Sequence, residues 1–258
     1  MEKIKTMDMD FLERVEEVAL NAWTAPHQML YDGWLLRFAG GYTKRANSAN
    51  VRYPSTIPLR EKIIYCQRIY AQQGLPTLFR VPAPFSSEQF RRSLDEAKFC
   101  SFDPTLVLGR PLVESDKSMP GLTAETLTSE AWISLRATLT GTSEADWEMH
   151  HRILDCIVPE KCLMGLFYKD QPVACGMGVV EESLLGFFSI YTLTAQRRQG
   201  FGRKIMAALT QWGIKHGAAY GYLQVEGDNQ PALAMYAKLG FERLYEYTYW
   251  KKIRENAK

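Results

Sequence analysis

The residues with the clearest chemical potential lie in one short run, Arg197-Arg198-Gln199-Gly200-Phe201-Gly202, followed by Arg203 and Lys204. Set between a strand and a helix, such a run turns several backbone N–H groups into one concavity, where the helix dipole favours an anion by about 0.3–1 kcal/mol. Gly200 and Gly202 remove the Cβ atoms that would hold a phosphate away, and Arg197, Arg198, Arg203 and Lys204 add positive charge. The chemistry implied is a pyrophosphate cradle. Spacing excludes two common versions: a Walker loop needs G-x-x-x-x-G-K-[ST], which Gly202-Arg203-Lys204-Ile205 fails, and a dinucleotide fold needs a third Gly or Ala where Ile205 stands. The pattern that remains is [QR]-x-x-G-x-[GA].

A second run, Asn229-x-x-Ala232-x-x-x-Tyr236-x-x-x-Gly240-Phe241, follows one helix and one strand later. With RRQGFG and NQPALAMYAKLGF in this order, the sequence resembles the GNAT superfamily of acyl-coenzyme A-dependent N-acyltransferases over Thr126 to Ile253. The resemblance implies an α/β GNAT fold: a mixed, splayed sheet with acetyl-coenzyme A, the co-substrate, wedged between the strand ending near Thr192 and the one ending near Val225. It further implies that Ile190, Tyr191 and Thr192 pair with the pantetheine arm like an added strand. The loop Arg198, Gln199, Gly200, Phe201, Gly202, Arg203 would hold the pyrophosphate. A free backbone N–H near Leu193 would polarise the thioester carbonyl, a kind of donor worth about 3–4 kcal/mol elsewhere.

In the same frame Tyr236 has a chemical reason for its place. Amine attack on a thioester expels a thiolate, and a nearby phenol can protonate that sulfur, a general-acid effect of roughly 10²–10⁴ in rate. Asn229 either reaches the cofactor or caps its own helix, two compatible roles. The general base is where the family pattern gives out. Some protein N-acetyltransferases of the superfamily carry a glutamate in the strand before the Asn motif, and here Gln224 takes that position. Glu226, two residues on and hence on the same strand face, is the first candidate. Water-mediated deprotonation through Tyr191, Ser189 or a backbone carbonyl is an alternative, with His150, His151 and Glu181 in reserve.

These residues need elements to position them. Leu163–Tyr168 and Val173–Val180 flank the turn Lys169-Asp170-Gln171-Pro172 as a hairpin, and Leu184 to Leu193 adds a strand. Arg203 to His216 has helical spacing at Ile205, Leu209 and Trp212 and stops at Gly217. Tyr220 to Val225 reads as a strand, a helix with Pro231 in its first turn stops at Gly240, and Leu244 to Trp250 closes the order as a strand.

The amino-terminal half carries a fainter copy: helix Arg60–Gln73, strand Thr77–Val81, helix Ser87–Lys98 and strand Thr105–Leu108. Landmarks such as Val81 with Val225 and Phe99 with Phe241 keep a nearly constant separation, which points to an internal duplication. The copy has no cradle, because Pro54-Ser55-Thr56-Ile57-Pro58 stands where the glycines would be and prolines lack N–H donors. It is expected to be degenerate, over residues 1–119, with a linker at Lys117 to Ala124 and a catalytic domain over 126–258. Trp34 to Tyr42 reads as a strand entering a turn, with Arg37, Lys44, Arg45 and Asn47 as either a solvated hairpin or an acceptor wall for an anionic group. Trp147, Phe187, Phe188, Tyr222, Tyr245 and Tyr247 are read as core aromatics near the acceptor channel.

Composition agrees with an ordinary globular chain of 258 residues, 46% hydrophobic and 23% charged, and so excludes disordered and fibrous classes. A formal charge of +2 without a tract of like charges argues against nucleic acid as a partner. No apolar run spans a bilayer, and Met1-Glu2-Lys3 lacks the basic start of a signal peptide, so a cytoplasmic protein is expected. Cys66, Cys100, Cys156, Cys162 and Cys175 form an odd set with no ligand spacing and are read as buried thiols, with no metal site. The expected function is acetyl transfer from acetyl-coenzyme A to a small-molecule or peptide primary amine in a ternary complex, by a monomer or homodimer. A non-catalytic acyl-coenzyme A-binding module and nucleotide binding in the cradle are the competing readings.

Overall fold

The computed structural model describes residues 8–53, 55–114 and 119–252. The chain runs α1 (Met9–Ala22), β1 (His27–Tyr31), β2 (Trp34–Phe38), β3 (Ala49–Val51), α2 (Leu59–Gln72), β4 (Leu78–Pro82), α3 (Glu88–Glu96) and β5 (Phe99–Pro111). It continues through β6 (Leu122–Thr126), α4 (Ser129–Thr140), α5 (Glu148–Asp155), β7 (Glu160–Tyr168), β8 (Gln171–Glu181) and β9 (Leu184–Thr192). The last elements are α6 (Phe201–Lys215), β10 (Tyr220–Glu226), α7 (Gln230–Lys238) and β11 (Glu242–Lys252). No helix among the described residues is long and apolar enough to cross a membrane.

The chain divides into two compact units, one of residues 1–22 with 107–244 and the other of 23–106 with 245–258. These units interleave the halves 1–119 and 126–258 rather than follow them. Helix α1 buries Leu12, Val15, Val18 and Ala19 and packs on β8 and β9, so its apolar stripe joins it to the first unit. The outer part of β11 pairs antiparallel with β4, from Tyr247 opposite Pro82 to Lys251 opposite Leu78, and so joins the second.

In the first unit the strand order is β10-β9-β8-β7-β6, antiparallel except for the β9–β10 pair. The expected hairpin of β7 and β8 turns at Lys169 and Asp170, both at positive φ, the geometry of a two-residue primed turn. On β8, Gly176 and Gly178 share one face, and a Cβ on either would meet Leu209 of α6, so these glycines let the helix approach. Cys175, on the opposite face, meets Arg136 of α4. Part of the expected linker is a strand: Leu122 to Ala124 belong to β6, which pairs with β7 from Leu122 opposite Tyr168, while Lys117 and Ser118 lie outside the described residues.

The second unit repeats the plan. Strands β1 and β2 form a hairpin, β3 runs antiparallel to β2 and parallel to β4, and α2 makes the crossover between the parallel pair. Trp34, Leu36, Phe79 and Val81 on the sheet face Ile63, Cys66 and Tyr70 of α2 and Phe90 and Leu94 of α3 in one core cluster. The order hairpin, third strand, helix, parallel strand, helix is that of β7 to α7, which is the pattern a duplication leaves.

Candidate active site

Strands β9 and β10 begin as neighbours and then part. Their parallel register runs from Leu184 opposite Tyr220 to Phe187 opposite Leu223. Past that point no pairing joins them among the described residues, although β9 continues to Thr192 and β10 to Glu226. A bulge marks the place: Met177 faces Phe188 and Cys175 faces Tyr191, so Ser189 and Ile190 together oppose Gly176. Ser189 has φ 52°, a left-handed conformation that a residue with a Cβ rarely adopts. A Cβ on Gly176 would lie 2.7 Å from Ile190 Cδ1, so the glycine makes room for the Ile190 side chain on the α6 side of the sheet.

Leu193 is not the free donor that was expected. Its amide donates to the Val173 carbonyl at 2.9 Å, because β9 still follows β8 at that point. An antiparallel ladder alternates the edges to which successive residues turn their N–H groups, so the Thr192 amide faces the opposite edge, where β10 has parted from β9.

The glycine-rich loop has the geometry of an anion cradle. Gly200 sits at φ 91° as the N-cap of α6, and its carbonyl accepts the Arg203 and Lys204 amides at 3.0 and 3.1 Å. The amides of Phe201 and Gly202 belong to the helix's unsatisfied first turn and meet no acceptor among the described residues. Phe201 anchors the loop by burying its ring 5.5 Å from that of Tyr168. Arg198, at φ 64°, Gln199 and Arg203 are exposed. Arg197 donates to the Thr192 carbonyl at 3.4 Å and lies 5.7 Å from the Tyr191 ring, linking loop to strand. Gly202 serves a different purpose from the one expected. Its missing Cβ would stand 2.9 Å from Met235 Sδ and 3.5 Å from Thr192 Oγ1, so the residue admits the neighbouring helix rather than a phosphate.

Helix α7 presents Tyr236. Asn229 caps the helix, its Oδ1 accepting the Ala232 amide at 3.2 Å. At the other end Gly240 at φ 79° turns the chain, Gly240 N–H donates to Ala237 O and Phe241 N–H donates to Tyr236 O, both at 3.0 Å. That is a Schellman motif, and its apolar contact is the Tyr236–Phe241 ring pair at 5.8 Å. Phe241 also packs 5.8 Å from Phe187, the last β9 residue paired with β10. Arg110 closes the helix end by donating to Leu239 O at 2.6 Å. The Gly240-Phe241 motif thus fixes the tyrosine at the place where the strands part. Tyr236 is 8% exposed, and its hydroxyl makes no hydrogen bond among the described residues. Burial pushes its pKa up to about 12.

The other candidates separate clearly. Gln224 is half-buried and Glu226 exposed at the end of β10, where the Glu226 carbonyl accepts the Asn229 amide at 3.1 Å. Glu181 is held by Arg14 at 2.9 Å and by Asn21. His150 is buried between the Trp132 and Trp147 rings, and His151 stands near Glu130 and Asp155. Phe187, Phe188, Tyr222, Tyr245 and Tyr247 are core residues, whereas Trp147 is half-buried. In the second unit Arg37 is buried rather than solvated and donates to Trp23 O at 2.8 Å. Asn47 Oδ1 gathers the Ala39 and Gly41 amides, Lys44 pairs with Asp103 and Arg45 lies over Trp23. All five cysteines are free, but Cys156 is exposed and Cys100 half-buried. Among the described residues no group of three or more His, Cys, Asp or Glu could hold a metal ion. Arg136 of α4, which donates to the Ser189 carbonyl at 2.7 Å, carried no sequence signal.

Residues 12–250 match a family model described as "Probable histone acetyltransferase Rv0428c C-terminal". The uncharacterized N-acetyltransferase YobR of Bacillus subtilis (strain 168) is 27% identical over 246 residues, covering 93% of this chain and 98% of the relative. A GCN5-related N-acetyltransferase from Kribbella flavida has TM-score 0.70 at 15% identity, over 93% of this chain and 95% of its own. A tandem GNAT protein from the clavulanic acid biosynthesis pathway has TM-score 0.62 at 11% identity, over 79% and 74%. At such identities the structural likeness speaks for the fold.

Proposed function

The chain belongs to the family described as probable histone acetyltransferase Rv0428c C-terminal, within the GNAT N-acetyltransferases, and from that premise we propose that it moves the acetyl group of acetyl-coenzyme A to a primary amine by direct attack in a ternary complex. The observation that carries the reading is Tyr236: its ring is packed against Phe241 beside the point where β9 and β10 separate, and its hydroxyl makes no hydrogen bond among the described residues. A phenol held by its ring with its hydroxyl uncommitted can donate to a reactant, which is what a general acid requires.

Acetyl-coenzyme A supplies a thioester and a pyrophosphate. The Phe201 and Gly202 amides, the helix dipole and the cations Arg198 and Arg203 suit the pyrophosphate. The open edge of Ile190 to Thr192 suits the pantetheine amides, with the Thr192 N–H aimed at the thioester oxygen. Tyr236, kept protonated by its surroundings, donates its hydrogen to the departing sulfur. Glu226, at the open end of β10, receives the amine's proton through water.

The test is thiol release from acetyl-coenzyme A with a panel of amino acids, amino sugars, polyamines and lysine-containing peptides, against the rate without amine. An amine-dependent rate supports transfer. Gln224 in the strand position of the missing glutamate is the one feature that favours a non-catalytic acyl-coenzyme A-binding module, and a flat response across the panel would select that reading.

A further inference from the structure

We propose that Arg136 is a positioning residue: by holding the Ser189 carbonyl it keeps the β9 bulge in place and so aims the Thr192 amide for acyl transfer. The bulge cannot be explained by local preference, since Ser189 is held at φ 52° where serine is disfavoured. Something outside the strand must hold it. Arg136 Nη1 donates to Ser189 O at 2.7 Å and also approaches Cys175 Sγ at 3.4 Å, so one nitrogen bridges β9 and its neighbour β8 at the two sides of the bulge. The Cys175 thiol, its pKa raised by burial, stays neutral and offers no counter-charge.

The guanidinium is itself pinned. It lies 4.9 Å from the centre of the Trp147 ring, 5.4 Å from Tyr191 and 5.6 Å from Trp132. No carboxylate pairs with it among the described residues, so a strand carbonyl and three aromatic faces are its partners. A planar cation suits that setting, because it stacks on rings while directing a fixed N–H at the carbonyl, whereas a lysine ammonium would keep the charge but lose the plane. Tyr191 is stacked by the same group two residues after Ser189, which fixes both sides of Ile190. Strand β9 is therefore clamped on each side of the segment whose free edge faces the parted strands. The role rests on the acetyl-transfer reading only through Thr192.

The experiment compares the full chain with Arg136→Lys and Arg136→Met. Hydrogen exchange of residues 188–193 is read alongside kcat, KM for acetyl-coenzyme A, coenzyme A affinity by calorimetry and the denaturation midpoint. In Arg136→Met, exchange at Ser189 to Thr192 rises and kcat falls by about tenfold or more, the scale expected when a reacting group is misplaced. Coenzyme A affinity falls by less than kcat does, because the pantetheine arm loses part of its pairing with Ile190 to Thr192 while the pyrophosphate loop does not touch Arg136. Arg136→Lys recovers part of kcat. Unchanged exchange and kcat in a folded Arg136→Met would overturn the assignment, as would a lowered midpoint with affinity falling as far as kcat in both variants. If Arg136→Met does not fold, exchange in Arg136→Lys decides. A wild-type chain without amine-dependent release would defeat the transfer reading, yet the exchange result would still decide whether Arg136 holds the bulge.

Discussion

The Asp32 carboxylate accepts the Ile57 backbone amide at 2.9 Å and, beside it, the Thr56 amide and hydroxyl. These amides precede α2, which stands in the second unit where α6 stands in the first. In the second unit these amides are thus taken by a carboxylate of the chain itself. Lys62 completes the cluster: its fully buried ammonium contacts Asp32 Oδ2 at 3.1 Å, the Asp32 carbonyl and Ser55 Oγ, and lies 4.2 Å from the Trp34 ring. A half without a cradle is expected from Pro54 and Pro58, of which Pro54 lies outside the described residues, and the Asp32 carboxylate at the start of α2 agrees with that expectation.

That cluster makes stability depend on acid. The two backbone amides hold the Asp32 carboxyl well below the ordinary carboxylate range, and Lys62 and the Thr56 hydroxyl add to the effect. A group with a depressed folded pKa contributes stability that is present above its unfolded value, about 3.9, and lost as pH falls from there toward the folded value. Urea unfolding will therefore show Asp32→Asn less stable than wild type at neutral pH. The gap will narrow as both are taken below about pH 4. A gap of constant size across that range would rule out the charge linkage.

Tyr236→Phe removes one hydroxyl from a packed ring and leaves the Phe241 contact in place. Turnover should fall by roughly 10²–10⁴ with coenzyme A affinity nearly intact. Because the phenol's pKa stands at about 12, Tyr236 remains protonated through the neutral range, so it imposes no alkaline fall in kcat until the pH approaches that value. Steady-state kinetics across pH checks both statements, and an acetylation rate equal to wild type would remove Tyr236 from the mechanism.

The elements around the site were legible because their signals are local. Gly217 and Gly240 end helices at positive φ, Asn229 caps one, and Lys169-Asp170 turns a hairpin. What was not legible depends on pairs far apart in sequence. The engagement of Leu193 is set by Val173 on another strand, and the purpose of Gly202 by Met235 on another helix. Arg136 acts on a carbonyl more than fifty residues away, with no motif to announce it. The interleaving of the units escaped for the same reason: α1 and β11 carry apolar patterns that say they pack, but not in which unit.

Gly200 and Gly202 should fail differently when a methyl group is added. At Gly200 a Cβ meets nothing within 4 Å, but φ 91° forces alanine into a left-handed conformation, at a cost of about 1–2 kcal/mol. At Gly202 the obstacle is the flexible Met235 thioether, and alanine gains up to about 1 kcal/mol of helix propensity over glycine, so Gly202→Ala should fall close to wild type. Chemical denaturation of the two variants gives the comparison. A larger loss at Gly202 would show that Met235 cannot move aside.

Asn229 separates capping from contact with the reactants. Its Oδ1 accepts the Ala232 amide, so Asn229→Ala should cost about 0.5–2 kcal/mol of stability, whereas Asn229→Asp keeps an acceptor at the same place and adds a charge that the helix N-terminus favours. Since α7 carries Tyr236 two turns further on, fraying of its first turn should also lower kcat in the alanine variant. The aspartate variant should restore both stability and kcat. If instead both variants lose turnover while only alanine loses stability, the amide nitrogen of Asn229 must meet the reactants, because that nitrogen is the feature both substitutions remove.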